Sequence, residues 1–317
     1  MSDIVQRGSF ELTLRRVLSD RAGMLSLAFI VVLALFAIGA DAIAYVVGHS
    51  PVEQFRDTGL TPQGLPVPPS PEFLMGTDQL GRDVLVRLAY GARVSLLIGV
   101  IASLLAACIG VTVGVLAGYF GGWVDVVLGR MMDFVMSIPV LLCMLSLVSV
   151  FGTSIPLSVS VIVFFSWTIM GRVIRGQVMS LREREFVMAS RTLGAGHLSI
   201  MVIDILPNLS VPIIIYTTMM IPTSIIFEST LSFLGLGIVP PAPSWGGMLS
   251  EAANNSIYMF AWWLILFPSV ILLLTTLSFN ILGDTLRDAL DPKANFRPVK
   301  MRWRIWPKRS RPKGDAK

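Results

Sequence analysis

REREFVMASRTLGAGHLSIMVIDILPN, residues 182–208, lies between two long apolar segments and is therefore a loop between membrane spans. Its composition is not that of a loop. The first half is charged and helix-forming, with Arg182, Glu183, Arg184 and Glu185 followed by Phe186, Val187, Ala189 and Leu193. Gly194-Ala195-Gly196 then interrupts it, because glycine enters turn conformations without a Cβ penalty. In the second half Leu198, Met201, Val202 and Ile205 recur at the i, i+3, i+4, i+7 spacing of one helix face. Pro207 closes the stretch. The pattern predicts a helix, a tight turn and a short amphipathic helix lying at the membrane surface.

The stretch resembles the EAA loop of ABC-importer permeases, in which Glu-Ala-Ala precedes a spaced glycine and a closing Ile-x-Leu-Pro. Gly194 stands at the glycine, Ala189 and Ser190 at the two alanines, and Leu206-Pro207 at the end. Met188 replaces the glutamate and Asp204 the isoleucine. The resemblance implies a coupling helix that docks into a groove on an ATPase subunit. Ala189, Ser190, Gly194, Ala195, Leu198, Met201, Leu206 and Pro207 would carry that contact. The alternative is an amphipathic helix resting on lipid headgroups.

Composition agrees with a membrane protein. Of 317 residues, 54% are hydrophobic and only 14% charged, a balance that soluble domains rarely reach. Mean hydropathy is +0.74. Cys108 and Cys143 both lie in apolar runs, so neither a disulfide framework nor a metal spacing follows. His49 and His197 are too far apart to suggest a metal site. The chain has no G-x-x-x-x-G-K-[ST], no H-E-x-x-H and no Gly-x-Ser-x-Gly. It therefore does not carry the ATP-hydrolysing part.

Taken in order, 1–23 is polar, and 24–47 is a first span that is retained as an anchor despite Ala40-Asp41-Ala42. Residues 48–93 are a Pro- and Gly-rich extracytoplasmic loop ending in MGTDQLGRDVL, where Thr77 or Asp78 is a candidate helix cap and Arg82, Asp83, Arg87 and Arg93 a charged face. The second span, 94–118, carries Gly110, Gly114 and Gly118 at the four-residue spacing that lets helices approach closely in lipid, here within the chain. A short cytoplasmic segment, 119–133, precedes the third span, 134–151 with Pro139, and the fourth, 157–170. The fifth, 209–238, contains Pro212 and Pro222. On it Thr217, Ser224, Glu228 and Ser232 share a face that either lines the solute path or holds a structural glutamate. An outer loop, 240–258, either plugs the pore or caps the bundle; Trp262 and Trp263 suggest an aromatic belt, and 261–282 is the sixth span. The basic tail, 285–317, is most simply a contact to anionic lipid rather than to nucleic acid.

Three further stretches, GTDQLGRD at 76–83, ESTLSFLGLG with PPAPSWGG at 228–247, and GDTLRDALDP at 283–292, are similar to permeases of the dipeptide, oligopeptide and nickel importer family. The resemblance covers about residues 75–292. The expected fold is all-α, with six transmembrane helices in the type I importer arrangement and a transmembrane domain at 94–284 whose coupling loop is 171–208. The distribution of Lys and Arg places both termini and the 182–208 loop in the cytoplasm. Implied partners are a second, related permease, two ATPase subunits holding ATP and Mg, and an extracytoplasmic substrate-binding protein, all at a bacterial inner membrane. The expected cargo is peptide, with nickel or another small solute as the alternative. A secondary transporter is the reading from another class; it calls for internal repeats or several midplane charges, and Glu228 is the one carboxylate well inside a span.

Overall fold

In lipid every backbone polar group must be satisfied within the protein, which for a chain with these apolar runs means helices. The computed structural model describes residues 18–238 and 240–290, and these are helical apart from turns, loops and two isolated bridges. The 1–17 segment and the basic tail beyond 290 lie outside the described residues.

Helices α1 (Arg21–Ile38) and α2 (Ala40–Val47) share the first expected span, which breaks at Gly39. An irregular loop leads to α3 (Val84–Phe120), at 37 residues much longer than the expected 94–118. Its N-cap is Asp83, whose carboxylate accepts from the backbone N–H groups of Leu85 (2.8 Å) and Val86 (3.2 Å). Neither Thr77 nor Asp78 caps it.

The expected cytoplasmic segment and third span are a bent pair instead: α4 (Gly122–Ser137) and α5 (Val140–Phe151) meet at 78°. Ile138 is held extended (φ −80°, ψ 124°), as the ring of the following Pro139 requires. Helix α6 (Ile155–Leu181) overruns the expected fourth span, so 171–181 is helix and not loop. Helices α7 (Glu185–Thr192), α8 (Ser210–Phe233), α9 (Trp245–Ala253) and α10 (Trp263–Leu290) complete the order. Among the described residues, five helical stretches are long and apolar enough to cross a membrane, or six if the bent pair is one span.

The most extensive pairing is α3 with α6, and α3 also packs on α8 while α10 packs on α8 and α1. The glycine stripe makes the α3–α6 pairing possible within the chain, as its spacing suggested. A Cβ on Gly110 would lie 2.6 Å from the Trp167 carbonyl oxygen, one on Gly114 2.7 Å from that of Gly171, and one on Gly118 2.7 Å from that of Arg175. Trp263, expected in an aromatic belt, is instead core: it is buried, and its indole N–H donates to the Thr77 carbonyl at 3.1 Å. Trp262 remains exposed.

Because backbone cannot yield to an added side chain, Gly114→Val should destabilise by ~1–3 kcal/mol and lower the melting temperature of the detergent-purified protein by roughly 3–10 °C. Gly129, with open space around its Cβ position, should accept alanine without loss. An unchanged melting temperature for Gly114→Val would refute the close contact.

Candidate functional site

Two regions hold the residues singled out from sequence: the segment between α6 and α8, and the polar face of α8. In the first, Glu185 in the opening turn of α7 and Arg191 in its last complement the helix dipole. The helix then stops in a double backbone cap. Ala195 N–H bonds the Ser190 carbonyl at 3.0 Å, Gly194 N–H bonds that of Arg191 at 3.1 Å, and Gly194 takes φ +82°. This is the Schellman arrangement, and its left-handed position favours glycine.

Beyond the turn the chain winds as one α turn (His197–Ser199), a π segment (Ile200–Ile205) and a 3-10 turn (Leu206–Leu209) directly into α8. His197–Phe233 is thus one continuous helical path, with no separate surface helix. Pro207 sits in the 3-10 turn and Pro212 in the first turn of α8, where the missing N–H costs little. The expected face of Leu198, Met201, Val202 and Ile205 is split. Met201 and Ile205 are buried with Ile200 and Leu209, while Leu198 and Val202 are exposed. The i→i+5 bonding of the π segment is the cause, since it lines Ile205 up with Ile200.

Of the other expected docking residues, Ala189, Gly194 and Pro207 are exposed, and Ser190, Ala195 and Leu206 are half-buried. The most prominent apolar projections are Leu193 (88% exposed) and Leu198 (71%), on either side of the glycine turn, with Phe186, Met188 and Val202 also exposed. Together they form an exposed apolar cluster at the helix–turn.

The base of this segment is held by the end of α3. Tyr119 is buried, its hydroxyl lies 2.9 Å from His197 Nδ1, and the Arg191 guanidinium sits 5.7 Å from its ring centroid. Arg182 donates to the Gly118 carbonyl at 3.0 Å.

On α8, Ser224, Glu228 and Ser232 are buried against α3 rather than exposed to a cavity. Glu228 accepts from Ser95 (3.0 Å) and Ser232 (2.7 Å), and the Ser103 and Ser224 hydroxyls lie 3.0 Å apart. Thr217 does not join them; its buried hydroxyl has no hydrogen-bond partner among the described residues. Within this chain the face is an interhelical polar seam.

Residues 110–296 match the family described as binding-protein-dependent transport system inner membrane component. The chain belongs to this family. The permease is 42% identical over 279 residues to the oligopeptide transport system permease protein OppC of Escherichia coli (strain K12), covering 88% of this chain and 89% of that one. It is 41% identical to the dipeptide transport system permease protein DppC of the same strain (86% and 90% covered). It is 40% identical to the di/tripeptide transport system permease protein DppC of Pseudomonas aeruginosa (86% and 87% covered). The chain is therefore an inner-membrane transport subunit and not an enzyme.

Sequence reasoning missed Tyr119, Arg182 and Arg191 as supports of the 185–209 segment. Only an aromatic at the end of an apolar run could have hinted at Tyr119. It also missed the partners of Glu228, because Ser95 is 133 residues away.

Glu228→Leu should strand the hydroxyls of Ser95 and Ser232 and cost ~2–5 kcal/mol. Glu228→Gln, which keeps an acceptor, should cost far less. Melting temperatures of both variants in detergent check this. Equal stability of the leucine variant and the unaltered permease would rule the seam out as a structural element.

Proposed function

We propose that this permease is one half of the membrane path of an ATP-driven importer of di- or oligopeptides. A second, related permease forms the other half. Two ATPase subunits bind ATP and Mg, one of them engaging the 185–209 segment, and an extracytoplasmic binding protein delivers the peptide. The termini and the 185–209 segment face the cytoplasm, where the positive charge of the sequence concentrates.

The observation that carries this reading is the exposed Leu193–Leu198 pair on a capped, rigid support. A resting amphipathic helix would turn one apolar stripe to the lipid. Here the buried side of the segment packs on the bundle through Val187, Ile200 and Ile205, and its apolar tips point away. The geometry suits insertion into a groove. The peptide cargo is supported by the three relatives named above, each named for peptide transport.

Replacing an apolar tip by a charge should leave the membrane bundle folded and remove the docking contact. Leu193→Asp and Leu198→Asp should each reduce co-purifying ATPase subunits by about tenfold or more, a loss of ~1.4 kcal/mol or greater. Ser199→Ala, an exposed neighbour, should leave them unchanged. ATPase retention at the unaltered level in both aspartate variants would sink the docking reading. In proteoliposomes holding the whole transporter, ATP-dependent uptake of labelled di- and tripeptides with the cognate binding protein tests the cargo. Uptake of nickel but not of peptide would overturn it.

A further inference from the structure

Each end of α3 grips a separate element, the 185–209 segment at one end and α9 at the other. At one end Tyr119 and the Gly118 carbonyl hold His197, Arg191 and Arg182 of the docking segment and its approach. At the other end Arg82, Asp83 and Arg87 of the expected charged face are buried. Arg82 bonds Asp78 through Nε (2.6 Å) and Glu251 through Nη2 (2.7 Å). Arg87 bonds both carboxylate oxygens of Glu251 (3.3 and 3.2 Å), and its Nε lies 3.3 Å from Asp78 without hydrogen-bond geometry. Glu251 belongs to α9, the short helix of the outer loop. Trp245 at the start of α9 is fully buried and donates its indole N–H to the Leu88 carbonyl of α3 at 3.2 Å.

Between these ends α3 is uninterrupted. Its 37 residues contain no proline and span about 55 Å at ~1.5 Å per residue. The glycine stripe locks α6 against it, so the two helices shift together.

We infer that α3 transmits movement of the docking segment to α9, with Tyr119 and Glu251 as the positioning residues at its two ends. The inference rests on the docking reading given above and adds a route to it. The competing route is α8, which continues from the docking segment and touches α9 where Gly246 packs on the Ser229 backbone. Through α3, a push on Tyr119 becomes a displacement of Arg87, and through Arg87 a displacement of Glu251. Helix α9 then follows α3 while the ion pairs hold, and ceases to follow it when they are removed.

The experiment uses the complete transporter with Cys108 and Cys143 replaced by serine and a single reporter, Ala253→Cys, at the exposed end of α9. Maleimide labelling of residue 253 is timed without nucleotide and with a non-hydrolysable ATP analogue. Bound ATPase subunits and basal ATP hydrolysis are scored on the same samples. The unaltered transporter should show a nucleotide-dependent change in labelling rate. Tyr119→Leu and Glu251→Gln should each reduce that change by about fivefold or more, the lower range of coupling between distant sites, and Glu251→Gln, which lies far from the docking segment, should do so while ATPase subunits stay bound and hydrolysis continues. Tyr119→Phe, which keeps the ring against His197 and Arg191, should restore most of the response. A full response in both Tyr119→Leu and Glu251→Gln would overturn the α3 route in favour of α8. An unaltered transporter whose residue 253 never responds to nucleotide would overturn it too. Failure of the docking reading shows separately, as ATPase subunits that ignore Leu193→Asp and Leu198→Asp.

Discussion

The arrangement of this permease depends on the contact of bare backbone between α3 and α6. Lipid offers no hydrophobic reason for two apolar helices to meet, so association rests on close packing and on hydrogen bonds. Gly110, Gly114 and Gly118 supply the packing by letting α3 lie directly on the carbonyls of Trp167, Gly171 and Arg175. With α6 placed this way, Arg175 reaches Asp125, and Arg172 reaches Asp133 at 2.8 Å, which fastens α4 to the same pair. The same contact brings Arg182 onto the Gly118 carbonyl and so sets where the docking segment begins. One interface thus positions the bent pair on one side and the surface segment on the other.

Buried polar groups supply the specificity that apolar packing lacks. The outer loop, 48–83, has almost no regular structure, yet it is pinned at several points. Thr77 donates to the Gly59 carbonyl at 2.6 Å, His49 Nδ1 lies 2.7 Å from the Asp83 carboxylate, and the His49 ring packs between Phe55 and Phe73. Arg82 and Arg87 face Asp78 and Glu251, two cations against two anions. Burying any one of these charges alone would cost several kcal/mol, so the cluster forms as a whole or not at all. Placing such a cluster at the end of a membrane helix orients the loop above the bundle without a strand or disulfide.

The features legible in the sequence were those written in local pattern. Apolar segments long enough for a bilayer, the glycine spacing, and the Gly-centred turn after a charged helix all appear as expected. What escaped was set by contacts distant in sequence or by backbone winding. Helix α3 begins at Val84, capped by Asp83, and its arginines find partners distant in sequence, Glu251 for Arg87 and Asp41 for Arg93 at 2.9 Å; the sequence offered them only as a charged face within the outer loop. Trp263 resembles an interfacial aromatic until the loop carbonyl of Thr77 comes to meet it. Glu228 read equally as a path-lining or a structural carboxylate; its partners are Ser95 on α3 and Ser232 on α8 itself, and nothing in the local spacing announces Ser95. The third span concealed its bend because Pro139 is as compatible with a mild kink as with the 78° turn observed.

The 185–209 segment shows why its outward residues can depart from the family pattern. Its shape comes from main-chain caps at Ser190, Arg191, Gly194 and Ala195, and from an inward set consisting of Val187, Ile200, Ile205 and Leu209. None of these depends on the residue at 188, where Met replaces the family's Glu and projects exposed beside the other apolar tips. A methionine there enlarges the exposed apolar surface and adds no charge. At 204 the aspartate lies within the π segment, where Asn208 donates to its carbonyl at 2.7 Å, a bond to backbone that does not depend on the side chain. The segment is therefore specified from the inside, through Tyr119 and the buried isoleucines, and its exposed surface can vary without disturbing that support.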